Sequence, residues 1–172
     1  MGYVEQNLIT DEQIKYETHL HWVMLLVPGI ISGFFFLLAL YLFSRAFAHR
    51  GSADATTLII FGAVAIAFGD LPILTAIIQR KASEFAVTNK RIILKVGVIR
   101  RKTAEMFLEK VESVGVDQGI VGRMFNYGEI TVHGTGGTAE PFDKISHPLE
   151  FRRQVQEQIA ALSGKAGAAG AR

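Results

Sequence analysis

No cysteine occurs anywhere in the 172 residues. Disulfide scaffolds, thiolate metal sites and cysteine nucleophiles are therefore excluded, and redox chemistry gives no reading of the compartment. Basic side chains are nearly missing from the first part of the chain: of 18 lysines and arginines, only Lys15, Arg45 and Arg50 precede position 80. Residues 1–79 hold 3 basic and 6 acidic side chains, whereas residues 80–172 hold 15 and 10. Catalytic signatures are lacking too, with no G-x-S-x-G elbow, no H-E-x-x-H and no Walker loop. The first 21 residues carry four acids and one lysine, unlike a signal peptide's basic start. The apolar run that follows is too long for a signal core and no small-residue cleavage site closes it, so it reads as retained.

Hydrophobic residues make up 49% of the chain and charged residues 20%, and the two classes segregate instead of mixing. Trp22 to Ser44 is an uncharged run of 23 residues. At about 1.5 Å per residue it reaches roughly 34 Å, enough to cross a hydrocarbon core of about 30 Å. Pro28, Gly29 and Gly33 would be costly in a soluble helix, but membrane helices tolerate them, and Trp22 and Tyr41 suit the wet interfaces. Arg45–Thr56 is a polar connection. A second apolar run, Thr57–Ile78, is interrupted only by Asp70, whose insertion cost of about 2.5–3.5 kcal/mol the surrounding Leu, Ile, Phe and Val should outweigh. Pro72 is expected to kink or locally open that helix.

The texture changes at Gln79-Arg80-Lys81. Residues 80–102 contain eight basic side chains, against Arg45 and Arg50 in the connection, and such groups favour the cytoplasmic side. The expected organisation is a cytoplasmic segment 1–21, transmembrane helices over 22–44 and 57–79, an external loop 45–56, a cytoplasmic domain 80–162 and a mobile tail 163–172. Both termini then lie inside.

From Glu84 onward the pattern is that of strands. EFAVT, RIILKV, VIRRKTAEMFLEKV, ESVGVD and EITVH are rich in β-branched and aromatic residues, and Asn89-Lys90, Gly97, Gly119, Gly128 and the Gly134–Gly137 cluster punctuate them. In EITVH, Ile130 and Val132 share one face, as in a half-buried antiparallel strand. GIVGRMFNYG is too glycine-rich for a long helix, and Ile120, Val121, Met124 and Phe125 are expected to cap the core from a turn. Phe151, Val155, Ile159 and Leu162 form one apolar stripe of a helix from about Pro148 to Leu162. In residues 14–21, Ile14, Tyr16 and Leu20 alternate with polar side chains, so this segment is a candidate strand for the cytoplasmic sheet.

Residues 82–160 resemble the bacterial pleckstrin-homology-like (PH-like) domain of YdbS-type membrane proteins. The likeness is carried by Phe85–Ile93 with Gly97, by Leu108–Val114, by Gly122–Gly128 and by Val132–Gly137 before the Phe151 helix. It implies an α+β membrane protein: a two-helix transmembrane hairpin followed by a PH-like antiparallel β roll or partial barrel, closed by the C-terminal amphipathic helix. A bacterial cytoplasmic (inner) membrane location, multi-pass, goes with it. A fold does not carry an activity with it.

The candidate chemistry is sparse. His19 and His21 are spaced as metal ligands can be, but read as amphipathic side chains beside Trp22; His133 and His147 have no partner motif, and no metal, cofactor or catalytic set is expected. HGTGGT lies between strand candidates and not before a helix, so it is read as a hairpin turn, not a phosphate cradle. Asp70 is the intramembrane polar residue, read either as a functional ionisable group or as a hydrogen-bonding group within the helices. Lys90, Arg91, Arg100, Arg101 and Lys102 are the candidates for lipid or partner contact. The leading expectation is a non-enzymatic interaction domain anchored in the lipid bilayer, docking a protein partner or forming a homo-oligomer. The alternative is an anionic-lipid headgroup sensor using these basic residues, and a transport or enzyme component using Asp70 comes third. No nucleic-acid partner is expected.

Overall fold

The computed structural model describes residues 3–51, 53–97, 102–135, 137 and 139–169. In chain order they form a short helix α1 (Tyr3–Gln6), strand β1 (Ile14–Thr18), a 3-10 turn (Trp22–Leu25), and helices α2 (Leu26–Ala48) and α3 (Ala53–Ala82). Strands β2 (Glu84–Thr88), β3 (Arg91–Val96) and β4 (Lys102–Phe107) follow, then a 3-10 turn (Leu108–Lys110), β5 (Val111–Asp117) and a short helix α4 (Ile120–Phe125). The chain finishes with β6 (Tyr127–Gly134), β7 (Ala139–Ser146) and helix α5 (Pro148–Ala169). Two units result: one from residues 1–21 with 80–172, the other from residues 22–79.

The first unit holds two antiparallel sheets, ordered β1-β2-β3-β4 and β5-β6-β7. β1 comes from before the long helices and pairs with β2 after them, setting Tyr16 opposite Val87, Glu17 opposite Ala86 and Thr18 opposite Phe85. The chain between these strands is thus an excursion that leaves the sheet and returns to it. β2 is buried on both faces, and Phe85, Ala86 and Val87 are wholly inaccessible. One face of β2–β3 packs Ala86 and Ile93 against Val4, with Tyr3, Leu8 and Ile14 around them. The core also takes in Phe85, Ile92, Leu94, Ile130, Phe142, Ile145, Phe151 and Val155, all buried; Phe85 meets Phe142, and Tyr16 meets Phe151, edge to face. β7 contains Pro141, which a ladder tolerates because β7 is an edge strand. Beyond β1 the chain reaches β7 through a Leu20–Ile145 bridge, so one side of the two sheets is laced together while β4 and β5 are edge strands.

In the second unit α2 and α3 run antiparallel: Gly29 faces Ile73, Gly69 faces Phe35 and Gly62 faces Phe43. A Cβ at Gly69 would stand 2.5 Å from the Phe35 Cβ, so glycine is what permits this approach. Ala39, Ala46, Ala65 and Ala76 are buried as well, so small side chains make the seam. Large ones point away: Val27, Ile30, Phe34, Leu37 and Phe68 are 64–72% exposed.

Several boundaries differ from the sequence reading. The polar connection shrinks from 45–56 to the few residues between Ala48 and Ala53, because Arg45, Asp54 and their neighbours continue the helices. Trp22–Leu25 is 3-10 and α2 starts at Leu26, which puts Pro28 in its first turn, where a missing amide costs nothing. α3 is continuous through Pro72, and the Thr75 hydroxyl donates to the Pro72 carbonyl at 2.9 Å. VIRRKTAEMFLEKV does not form one strand in its described part: β4 gives way to a 3-10 turn at Leu108, while residues 98–101 lie outside the described residues. α5 runs on to Ala169 instead of ending at Leu162, carried by alanines of high helix propensity; residues 170–172 lie outside the described residues. The expectation that α4 caps the core is overturned, since Ile120 is 88% and Met124 75% exposed. Gly122 is the side that packs: a Cβ there would lie 2.6 Å from the Tyr127 carbonyl oxygen.

Phe151 is wholly buried where α5 meets the sheets. Phe151→Ala should lower unfolding stability by about 3–5 kcal/mol, measured by denaturant titration of the detergent-solubilised protein; an effect under about 1 kcal/mol would contradict this core.

Candidate functional site

Among the described residues, the basic candidates Lys90, Arg91 and Lys102 each make separate contacts. Arg91 emerges at the start of β3 and turns inward, its side chain 11% exposed. Its Nε donates to Glu12 Oε1 at 3.0 Å, its Nη2 to Glu12 Oε2 at 3.1 Å and to the Asn7 carbonyl, and its Nη1 to Glu105 at 2.7 Å. Glu12 also accepts from the Thr88 hydroxyl at 2.8 Å and from the Ile9 amide at 2.8 Å. Arg91 is therefore a brace between the N-terminal segment and the sheet, its guanidinium fork taken up by Glu12, Glu105 and the Asn7 carbonyl. Lys90 sits in the β2–β3 turn and donates to the Thr10 carbonyl at 2.7 Å. Lys102 lies over the Phe142 ring at 5.0 Å, a cation–π contact. Arg100 and Arg101 lie outside the described residues.

Burial pushes the Glu12 carboxyl upward, but the Ile9 amide, Arg91 and Thr88 outweigh it and hold its pKa below the ordinary value. A second acid works at the other end of the N-terminal segment: Glu84 accepts from the Tyr3 and Val4 amides, both at 2.9 Å, and so caps α1.

The histidines separate. His19 lies 3.5 Å from Glu17 at the surface, whereas His21 is buried and stacks on Tyr127 with ring centroids 5.2 Å apart. Burial, Arg80 and His147 lower the His21 pKa, against a hydrogen bond to the Phe125 backbone. His147 ends the β7 turn at φ 52° and accepts the Phe151 amide as α5 begins. No group of three His, Asp or Glu side chains that could hold a metal occurs among the described residues.

Asp70 accepts the Ser32 hydroxyl at 2.9 Å, linking the two apolar helices. The helix-to-helix hydrogen bond is thus the arrangement present, and the aspartate is otherwise on the outer surface of the pair.

Two concavities flank the sheets, apart from one beside α4 that Asp117, Ile120, Val121, Glu129 and Asp143 line. One of about 250 Å³ lies beside β4, lined by Ile92, Leu94, Met106, Val132 and Phe142 with Glu105, whose carboxylate Arg91 already occupies. The other, about 370 Å³, runs along α5 between Ile159, Leu162, Leu108 and Val111. Phe151 and Val155 fill the first half of the apolar stripe's contact with the sheets, and Ile159 and Leu162, half-buried, leave the second half as an open groove. The groove along α5 is lined chiefly by apolar side chains, whereas Thr103 and Glu105 join the apolar lining beside β4. The groove follows from the stripe; the exposed α4 was missed because its four apolar residues look like core in sequence.

Two predictions follow from these contacts. Because the Glu12 pKa is lowered in the folded state, its stabilisation is fully present above about pH 4.5 and is lost as pH falls below that value. Arg91→Ala should cost about 3–5 kcal/mol at pH 7 by leaving a buried carboxylate alone, and less at pH 4, where that carboxylate can take up a proton; denaturant midpoints at both pH values check it. For Asp70, Asp70→Asn keeps an acceptor for Ser32 and should leave assembly and proton leak in proteoliposomes unchanged, while Asp70→Leu should loosen the helix pair. A change in leak in the asparagine variant would show a role for ionisation.

No curated protein and no solved structure matches the chain. The model of the bacterial PH domain family matches residues 23–159, which takes in both apolar helices as well as β2 through most of α5. That span is wider than the 82–160 on which the resemblance was read, and it leaves β1 outside. Sheets, closing helix and match together establish that the chain belongs to the bacterial PH domain family.

Proposed function

We propose that the chain is a membrane-anchored, non-enzymatic PH-like interaction domain at the inner face of the bacterial cytoplasmic membrane, where it docks a protein partner or another copy of itself. One observation carries the anchoring. The α2–α3 pair is inside-out by the standards of a water-soluble protein: glycine and alanine fill its seam while Ile30, Phe34, Leu37 and Phe68 face outward. Lipid tails solvate such a surface, and small residues let helices pack where no hydrophobic force drives them together.

The β1–β2 pairing supports the topology. Two strands of one sheet lie on one side of a bilayer, so an excursion between them that crosses once must cross back. The eight basic residues of 80–102 favour the cytoplasm for that side. For the working surface, the open groove along α5 and the edge of β4 are the places where an apolar segment or an added strand finds unused partners. The headgroup-sensor alternative loses Arg91 to the internal brace and keeps Lys90 and Lys102 among the described residues, too dispersed a set to carry it.

Because the chain has no cysteine, single substitutions test both parts. In spheroplasts an impermeant maleimide should label Asp54→Cys and should label Glu5→Cys only after lysis; the reverse pattern would overturn the topology. Photo-cross-linking from Ile159 in native membranes should capture a partner or a second copy, and Ile159→Glu should abolish that product. Monomer alone at endogenous level would remove the docking role.

A further inference from the structure

Helix α4 carries a patch that the fold does not use. Ile120, Val121, Met124 and Phe125 are 88%, 55%, 75% and 41% exposed, although the sequence offers them as core. They fall at i, i+1, i+4 and i+5, one face of a helix, and Gly122 on the other side packs against the Tyr127 carbonyl. The face is held out rigidly. Asn126 in the left-handed conformation ends the helix, and the Asn126 carbonyl accepts the His147 amide at 2.9 Å. Arg123 is exposed on the same short helix.

What covers this face is indicated by where α4 is fastened. Its C-terminal end docks on His21, which hydrogen-bonds the Phe125 backbone and stacks on Tyr127 at 5.2 Å. His21 is the last residue before the first apolar run, and Arg80 is the first after the second. Arg80 Nε donates to the Leu20 carbonyl at 3.0 Å, so the two points where the chain leaves and rejoins the domain are tied together. A six-residue helix is about 9 Å long, so the whole of α4 extends no more than about one such length from the end held by His21.

From this we infer that α4 inserts its apolar face into the bilayer interface, a second contact with lipid beside the two helices. The inference rests on the membrane-anchored reading above. If His21 and Arg80 mark the bilayer surface, α4 lies within the depth of about 5–10 Å that interfacial apolar faces occupy. The guanidinium of Arg123 reaches phosphate while Ile120 and Met124 enter the acyl boundary, and Asp117, Glu129 and Asp143, which line the concavity on the Ile120–Val121 side, stay in water. The consequence is mechanical: an anchor at one tied point leaves a domain free to swing, and a second contact fixes which surface it presents to the cytoplasm.

The test uses the full chain in vesicles of phosphatidylcholine and phosphatidylglycerol, with an environment-sensitive fluorophore on one introduced cysteine. Met124→Cys reports on α4 and is too exposed to disturb folding. Glu109→Cys, beside Leu162 along α5, is the domain control, and Phe36→Cys reports on the apolar helices. Lipids carrying a shallow nitroxide should quench Met124→Cys at least about twofold more than Glu109→Cys, as expected for an interfacial depth. Mid-chain nitroxide should quench Phe36→Cys. Quenching at Phe36→Cys with none at Met124→Cys overturns the α4 inference and leaves the anchor standing. Shielding of Met124→Cys from aqueous iodide without lipid quenching assigns the face to a second copy and also overturns it. No quenching at Phe36→Cys overturns the anchor itself, and the inference with it.

Discussion

The pairing of β1 with β2 is the constraint on which the rest of the structure depends. Ile14–Thr18 and Glu84–Thr88 are far apart in sequence, yet they share a ladder in which Tyr16, Glu17 and Thr18 face Val87, Ala86 and Phe85. Closing a flexible loop of that length would carry a loop-entropy cost that grows slowly with its size. The intervening chain is not flexible. The antiparallel helices bring Gly29 to Ile73, so the two strand segments leave from a stretch already folded back on itself. The strand pair in turn fixes the parity of the excursion: a chain that rejoins its own sheet must cross any intervening layer an even number of times. Helix pair and sheet therefore specify each other.

The same constraint explains where the charge goes. A first strand arriving from before the helices needs something to set its register, and the segment around it supplies buried acids. Glu12 binds Arg91, Thr88 and the Ile9 amide, and Glu84 receives the Tyr3 and Val4 amides. A buried ion pair adds little net stability compared with a well-packed apolar substitute, but breaking it is expensive, which makes it suited to specifying one arrangement over its neighbours. Arg91 looks in sequence like one of a run of basic residues next to a membrane helix. Spatially it belongs to an internal brace.

Much of this was readable from residues. The strands EFAVT and RIILKV coincide with β2 and β3, the Phe151 stripe with the buried face of α5, and the alternation from Ile14 with β1. β2 and β3 are apolar runs buried almost throughout, while β1 alternates and α5 buries one stripe, so pattern and packing agree. The sequence misleads where the two part. Ile120, Val121, Met124 and Phe125 are apolar without being buried, because α4 projects from a turn held by Gly122 and Asn126. Arg45 and Asp54 lie in helix though charged, because a helix can extend past its apolar run. Arg91 and Glu12 carry opposite charges 79 residues apart, and no local period announces such a pair. The candidate site was the least legible part, since lysines and arginines are assigned by position along the chain while contacts are made by fold.

An apolar groove of about 370 Å³ and an open strand edge make a modest binding surface on their own. Association in three dimensions would have to offset the loss of translational and rotational freedom from contacts that this groove does not supply in number. Confinement to a bilayer changes the balance. On the proposed anchoring, a partner in the same membrane would meet the domain at a high effective concentration, of order millimolar for closely tethered partners, so a weak contact would suffice. Orientation matters for the same reason, because a tethered surface gains from confinement only if it faces its partner. Within the sheet domain, the bond from Arg80 to the Leu20 carbonyl ties together the points where the chain leaves and rejoins it, and His21 holds α4 beside that bond. On the docking proposal, the domain draws its selectivity from where it is held as much as from what it contacts.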